Sequence, residues 1–180
     1  MRLNTVSGWR RMRGMEEHTQ IAAPQWPAAV VMERQSVDSR WATEKWEAKG
    51  VVPDLTPEAA PKVIVDTPER TQILFSGLTV RLHKDEADGY AMNITSVQPK
   101  VFVLWREDEG GVRPEMLTVS YYEGSRWMDS GEHVDGVPLP TEWVATLAEF
   151  ARAYHRPEER KKPKYATNRD KGRMGNWRPD

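Results

Sequence analysis

Residues Lys100–Arg106 read Lys-Val-Phe-Val-Leu-Trp-Arg, five consecutive apolar side chains between two basic ones. A half-exposed strand alternates between apolar and polar residues, whereas a continuous apolar run of this length suits a strand that is covered on both faces. We therefore predict a central strand here. Glu107–Gly111 has the composition of a turn, and Met116–Ser120 is predicted to pair back as an antiparallel strand, with Pro114 at its start or at a sheet edge.

Four segments upstream are also predicted to be strands, because they are apolar or alternate between apolar and polar residues. Leu78–Lys84 has the clearest alternation, so we expect one buried face and one wet face. Ser76-Gly77, just before it, fits either a two-residue hairpin turn or a bulge within one long strand. Asp54–Lys62 contains two prolines and is predicted to be a loop. The predicted strands are Trp26–Arg34, Trp41–Val52, Thr71–Phe75 and Leu78–Lys84.

Strands come first along the chain and helices later. Asp85–Asp88 predicts a helix start, and Gly89 is expected to keep that helix short. Ser120–Glu123 has capping-box spacing and predicts a second short helix that Gly131 ends. Pro140–His155 predicts a third, whose apolar stripe is Trp143, Val144, Leu147, Phe150, Ala151 and Tyr154. The predicted fold is α+β: an antiparallel sheet of four to six strands with the C-terminal amphipathic helix packed on one face.

The formal net charge of −1 is the sum of an uneven distribution. Residues 21–155 hold 13 basic and 21 acidic side chains, whereas residues 1–20 carry a net charge of +2 and residues 156–180 a net charge of +5. The C-terminal segment is also nearly free of aliphatic residues, so it cannot bury enough surface to offset its ordering entropy. We predict a flexible N-terminal extension at 1–20, a single α+β domain at 21–156 and a disordered basic tail at 157–180.

The composition excludes several classes of protein. The 180 residues include no cysteine, which excludes a disulfide scaffold, a thiolate zinc site, an iron–sulfur cluster and a cysteine nucleophile. No stretch approaches 18 consecutive apolar residues, so no membrane span is expected. Arg10, Arg11 and Arg13 are followed by Glu16 and Glu17 instead of the apolar run of an export signal, and we expect a cytoplasmic protein.

The sequence lacks the residue patterns of common catalytic sites. It has no G-x-S-x-G motif, no glycine-rich phosphate loop and no H-E-x-x-H motif. The four histidines lie far apart at His18, His83, His133 and His155, with no two in metal-ligand spacing. We therefore expect a protein that is not an enzyme, with no catalytic, cofactor-binding or metal-binding residues.

Aromatic and charged residues of the N-terminal strands form a candidate partner-binding surface, because Trp, Tyr and Arg are enriched at the energetic centres of interfaces. The alternative is that each tryptophan is structural, since a buried Trp removes on the order of 200 Å² of surface from water. Trp105, Trp127 and Trp143 are expected to lie in the core. The candidate partner-binding residues are Trp26, Arg34, Asp38, Arg40, Trp41 and Trp46.

The basic tail supplies a second candidate binding segment through Arg160, Lys161, Lys162 and Lys164. It could bind nucleic acid by counterion release, with Tyr165 and Trp177 stacking on bases. It could instead fold on an acidic partner protein, or have no partner. The acidic domain would repel phosphates, which makes nucleic acid the less favoured partner.

Three stretches carry a resemblance to a known family. The first contains Val30–Arg34, Val37–Trp41 and Trp46; the second contains Gly77-Leu78, Leu82–Ala87, Tyr90 and Asn93-Ile94; the third contains Val101–Val103, Ser130–Glu132, Val134-Asp135, Val137–Pro140 and Phe150. The resemblance covers roughly residues 26–160. This pattern resembles the bacterial family known as domain of unknown function 3305, whose genes tend to sit in formate dehydrogenase clusters.

The resemblance implies a connection with molybdenum- or tungsten-dependent formate oxidation, and it brings no functional residues with it. Because the chain has no cysteine and its histidines are scattered, we do not expect it to hold a redox cofactor or relay electrons. The expectation is an accessory, assembly or small-subunit protein that binds formate dehydrogenase subunits or maturation factors. One alternative is a pterin- or nucleotide-binding protein of cofactor delivery, using Arg34, Arg40 and Trp41. A second is nucleic-acid binding through the basic tail.

Overall fold

The computed structural model describes residues 23–37, 44–109 and 111–155. These residues form seven strands and three α-helices, and a short 3₁₀ turn at Lys84–Glu86 precedes the first helix. The strands are β1 (Gln25–Ser36), β2 (Glu44–Pro53), β3 (Lys62–Asp66), β4 (Arg70–Arg81), β5 (Lys100–Asp108), β6 (Gly111–Thr118) and β7 (His133–Pro138). The helices are α1 (Ala87–Ile94), α2 (Tyr121–Asp129) and α3 (Thr141–Tyr154).

The strands form two antiparallel sheets, with the orders β2-β1-β4-β3 and β6-β5-β7. The α+β class is confirmed, but the predicted single sheet of four to six strands is replaced by one sheet of four strands and one of three. β5 has a partner on each edge, β6 on one and β7 on the other, so it cannot also pair with the first sheet. The sequence patterns missed β3 and β7, which lie at sheet edges.

Both sheets share one hydrophobic core with α1 and α3. Along β5, Val101, Val103 and Trp105 belong to this core. Phe102 is on the opposite face, where α2 lies against it; a Cβ atom on Gly124 of α2 would lie 2.5 Å from the Phe102 ring. Glycine therefore permits the close approach of the helix. β5 is buried on both faces, as its apolar run predicts.

Helix α3 confirms the predicted apolar stripe, with Trp143, Leu147 and Phe150 buried. The Trp143 ring stacks on Trp26 of β1, with 5.1 Å between ring centroids and 7° between planes. Phe150 meets Tyr90 of α1 in an edge arrangement with centroids 6.0 Å apart. The last helix thus packs beside α1 and meets the first sheet where β1 begins.

Ser76-Gly77 forms a bulge within one long strand, so the hairpin alternative is excluded. β4 runs from Arg70 to Arg81, and its pairing with β1 shifts register opposite these two residues. Gly77 has a φ of 87°, which L side chains rarely adopt. Its N–H donates to Oδ2 of Asp54 at 2.8 Å, and a Cβ there would lie 2.9 Å from the Pro57 carbonyl oxygen.

The short helices begin and end for different reasons. Ser120 caps α2 as predicted, because its Oγ accepts from the Glu123 N–H at 3.2 Å. Gly131, with a φ of 82°, follows the end of this helix. Helix α1 is short, as predicted, with eight residues, and Gly89 lies inside it. A Cβ at Gly89 would overlap the Ser120 side chain, so this glycine lets α1 pack against the start of α2.

One carboxylate connects the two sheets. Oδ2 of Asp135 in β7 accepts from the backbone N–H of Ala48 in β2 at 2.7 Å. The same oxygen accepts from the indole Nε1 of Trp105 in β5 at 2.8 Å. Both donors belong to buried residues, so both depend on this carboxylate for a partner.

Asp135→Ala is expected to lower the free energy of unfolding by about 2–6 kcal/mol, because it leaves two buried donors without a partner and each costs roughly 1–3 kcal/mol. Asp135→Asn keeps one acceptor oxygen and should lose less. Urea denaturation followed by tryptophan fluorescence measures both variants. Equal stability of the alanine and asparagine variants would contradict this role for the carboxylate.

Candidate interaction surfaces

The residues predicted to bind a partner do not form one surface in the described part of the chain. Trp26 and Arg34 lie near opposite ends of β1, eight residues apart, which corresponds to about 26 Å along a strand. Trp46 of β2 is the cross-strand partner of Arg34. The structure therefore brings Arg34 and Trp46 together and separates Trp26 from both.

Trp26 and Arg34 are already engaged within the domain. Trp26 is half-buried and stacks on Trp143. The Arg34 guanidinium donates to Oε1 of Glu44 at 2.9 Å and to Oγ1 of Thr71 at 2.8 Å, so its charge is compensated. These contacts favour a role for Trp26 in stabilising the fold. They also weaken the case for Arg34 as an anion-binding residue.

The other residues predicted to bind a partner lie outside the described residues. The basic-tail and N-terminal-extension predictions also lie outside the described residues. The predicted site residues concerned are Asp38, Arg40, Trp41, Arg160, Lys161, Lys162 and Lys164. Of the tryptophans expected in the core, Trp105 and Trp143 are buried and Trp127 is half-buried.

A buried carboxylate lies next to Arg34, on the other face of the sheet. Only 2% of Glu33 is exposed. Its Oε1 accepts from Nε2 of Gln35 at 2.6 Å, and its Oε2 accepts from Nε2 of Gln72 at 2.5 Å. Lys49 lies 3.3 Å from Oε1, and Arg70 lies 3.8 Å from Oε2. One acidic residue in an apolar strand, Val30-Val31-Met32-Glu33, was the sequence signal for this network.

The hydrogen bonds around Glu33 set its ionisation. Burial acts to raise the pKa of Glu33, but hydrogen bonds from Gln72, Gln35 and Lys49 outweigh it and hold the pKa below its usual value. Lys49 also bonds Glu47, which raises the pKa of Lys49 and lowers that of Glu47. Glu33 is therefore a stable buried anion at neutral pH.

A groove of about 370 Å³ lies where β4 of one sheet approaches β6 of the other. β4 contributes Leu78, Thr79 and Arg81, β6 contributes Glu115, Met116 and Leu117, and α2 contributes Glu123. The exposed Arg81 guanidinium has no acidic partner within 4.0 Å among the described residues. The groove therefore combines the Arg81 guanidinium and two carboxylates with the apolar side chains of Leu78, Met116 and Leu117. The sequence did not predict this groove, because the groove depends on which strands of the two sheets lie next to each other.

The backbone at the end of this groove is held by a buried phenol. The His83 N–H donates to the Tyr90 hydroxyl at 2.8 Å, and Tyr90 is buried in α1. Burial raises the pKa of Tyr90 to about 12, so the phenol is neutral at physiological pH. It acts as a structural acceptor that fixes the backbone leading out of β4.

A second surface consists of half-exposed apolar residues on β6 and α2, here called the β6–α2 surface. Its members are Met116, Tyr121, Tyr122 and Met128, which are 43–50% exposed. Met116 pairs with Leu104, which shares a face of β5 with Phe102. The Tyr121 ring meets Phe102 edge-on at 5.9 Å. All four residues thus lie on the side of the three-stranded sheet that α2 covers.

The fold and these surfaces define a small α+β protein in which two antiparallel sheets share one core. Residues 27–164 match the family described as Protein of unknown function (DUF3305), a span well over half of the chain. The protein belongs to the DUF3305 family, as the resemblance of its three stretches indicated. No curated protein and no solved structure matches the chain.

Residues 23–37, 44–109 and 111–155 contain neither a candidate membrane span nor a candidate metal site. The longest helix there, α3, has 14 residues, and none is both long and apolar enough to cross a membrane. In the same residues, no three His, Asp or Glu side chains lie close enough together to hold a metal ion.

Glu33→Gln is expected to lower the free energy of unfolding at pH 7 by about 1–3 kcal/mol, since it replaces a buried, charge-assisted acceptor. The folded pKa of Glu33 lies below its unfolded value, so its contribution is present above pH 4.5 and is lost as the pH falls through the folded pKa. The difference in the free energy of unfolding between Glu33→Gln and the wild type should therefore become smaller at acidic pH.

Urea denaturation between pH 3 and pH 7 measures this dependence. Glu58→Gln, in the exposed loop after β2, is the matched control and should unfold like the wild type at every pH. A Glu33→Gln variant whose stability gap is the same at both ends of this range would contradict the assignment.

Proposed function

We propose that this protein is a non-catalytic accessory, assembly or small-subunit protein of a molybdenum- or tungsten-dependent formate dehydrogenase, acting by protein–protein interaction. The observation that carries the proposal is the β6–α2 surface. Its tyrosines offer a large rigid contact area with a polar tip, and its methionines adapt to the shape of a partner. The choice of formate dehydrogenase as partner rests on the family's gene clusters.

The border of this surface is polar. Arg126 of α2 is paired with Glu86 at 2.6 Å, and 58% of its side chain is exposed. An apolar centre with a charged border is the usual composition of a protein interface. Because both charges are already paired within the domain, binding at the border would not require a buried, unpaired ion.

The test is affinity purification of the tagged full-length protein from its native cells. Dehydrogenase subunits or maturation factors should co-purify with the wild type, and their yield should fall at least tenfold for the double variant Met116→Lys, Tyr122→Lys. The reason is that charges introduced at the apolar centre of an interface are desolvated on binding.

Val97→Lys provides the matched control, because Val97 is an equally apolar, exposed residue outside this surface. It should retain the partners, and thermal unfolding should show that all variants are folded. A wild type that captures no dehydrogenase subunit or maturation factor would overturn the proposal, and so would a folded double variant that captures them in full.

A second candidate function is binding of a pterin or nucleotide for cofactor delivery. The groove between β4 and β6 is the candidate site, because the exposed Arg81 guanidinium, which has no acidic partner among the described residues, suits an anionic group and Leu78 and Leu117 suit an aromatic ring. Glu115 and Glu123 also line the groove, so an anionic group would have to bind on its Arg81 side. This site differs from the one predicted at Arg34, where Glu44 compensates the charge.

For this function, thermal-shift titrations with a nucleotide and with a pterin should raise the unfolding temperature of the wild type. Arg81→Ala should weaken binding about tenfold or more, as expected for loss of a charge-assisted hydrogen bond. Arg152→Ala, which removes an exposed arginine of α3, is the control and should bind as the wild type does. A shift that persists in Arg81→Ala would place the ligand elsewhere.

A further inference from the structure

The second half of β4 has one edge without a neighbouring strand. One edge of β4 pairs with β1 from Arg70 to Arg81. The other edge pairs with β3, but only from Thr71 to Leu74. In the part of the chain that the structure describes, no other strand joins β4 in its sheet, so this edge is open from Phe75 onwards. The groove between β4 and β6 lies along the open part.

The hydrogen bonds of β1 show which way the backbone of Thr79 points. The carbonyl oxygen of Pro27 accepts from the Asp54 N–H at 3.0 Å, so it is directed towards β2 and away from β4. Thr79 is the cross-strand partner of Pro27 on β4. Facing residues of an antiparallel pair alternate between hydrogen-bonded and non-hydrogen-bonded pairs, and this one is non-hydrogen-bonded. The N–H and C=O of Thr79 therefore point away from β1, towards the groove.

The backbone of Arg81 points the same way. The Leu82 N–H donates to the carbonyl oxygen of Pro24 at 3.1 Å, on the side of β1, so the preceding residue points away from β1. His83 fits this alternation, because its N–H donates to the buried phenol of α1 instead. Among the described residues, Thr79 and Arg81 thus line the groove with backbone groups that have no partner in either sheet.

The charged side chains around the groove restrict what can bind there. Arg81 is exposed and has no acidic partner within 4.0 Å in residues 23–37, 44–109 and 111–155. Glu115 is paired with Arg106 and Arg113, both at 3.1 Å. Glu123 of α2 lines the groove as well. The groove therefore suits one acidic side chain beside Arg81 and disfavours a second one towards α2.

We propose that the open edge of β4 binds an extended segment of a partner protein as an added strand, with one acidic side chain beside Arg81. The backbone of the segment bonds the outward N–H and C=O groups of Thr79 and Arg81, and the Arg81 guanidinium selects the acidic residue. An extended backbone is the occupant because its own donors and acceptors repeat at the spacing of a strand edge. The site does not depend on the function proposed for the β6–α2 surface, with which the groove shares only Met116.

Amide hydrogen exchange of the full-length protein, followed by NMR, tests the backbone geometry. In the protein alone, the amides of Thr79 and Arg81 should exchange rapidly, whereas those of Val80 and Leu82 should be protected by their bonds to β1. Slow exchange at both Thr79 and Arg81 in the protein alone would overturn the proposal, because these amides would already have a partner.

A phage-displayed library of random nine-residue linear peptides is the probe for the ligand. Selected peptides should share an acidic residue, and the synthetic peptides should slow amide exchange at Thr79 and Arg81. A library from which no peptide is enriched by the wild type would overturn the proposal. So would a wild type that self-associates through this edge, because the occupant would then be a second copy.

Thr79→Pro removes the outward N–H without removing a bond to β1, and proline is already present at the facing position, Pro27. Calorimetric titration should show about tenfold weaker peptide binding, because a carbonyl of the peptide loses its donor. Thr79→Val retains the N–H and is the matched control. A folded Thr79→Pro variant that binds the peptides as the wild type does would overturn the added strand. A nucleotide or pterin in the groove would not require this N–H.

A charge exchange tests the side-chain part of the proposal and does not depend on the proline variant being folded. Arg81→Glu should weaken binding of a selected peptide at least tenfold, and replacing the acidic residue of the peptide by lysine should restore it. Arg152→Glu, at an exposed position of α3, is the control and should bind the original peptide as the wild type does. Failure of the lysine peptide to bind Arg81→Glu would overturn the assignment of Arg81.

Discussion

Burial of both faces of β5 is the constraint on which the other elements depend. Val101, Val103 and Trp105 belong to the core shared with the first sheet, while Phe102 is covered by α2 at Gly124. The edges of β5 are occupied as well, by β6 and β7. A strand enclosed in this way requires one layer on each side, and α2 and the four-stranded sheet provide them. Asp135 then connects the layers on the core side, because its carboxylate accepts from β2 and β5 together.

Elements with strong local signals were predictable from the sequence. The apolar run of β5, the stripe of α3 and the Ser120 cap each follow from the side chains of a few neighbouring residues. β3 and β7 were not predictable in this way. β3 has five residues and directly follows Pro61, and β7 contains Asp135, Gly136 and Pro138, which are all depleted in strands. Without these two edge strands, the sequence indicated one sheet instead of two.

The candidate sites depend on contacts between residues that are distant in the sequence. Trp26 and Arg34 are close along the chain, but an extended strand places them far apart. In the sequence, Glu33 is an isolated acidic residue. Only the fold places Gln72 of β4 and Lys49 of β2 beside it. The groove at Arg81 exists only because β4 approaches β6 without joining its sheet. The amino-acid sequence alone therefore could not indicate where this groove lies or which residues line it.

The shared core also determines how this protein can be divided. β1 to β4 precede α1 in the chain, and β5 to β7 follow it, so each sheet is built from one continuous half of the sequence. Neither half is a subdomain, because each contributes one wall of the same core. A cut near Lys84 would produce two fragments that each expose an apolar face to water, and the halves would acquire stable structure only by associating. The segment between β4 and β5 separates the two sheets along the sequence. It does not separate two units that fold independently.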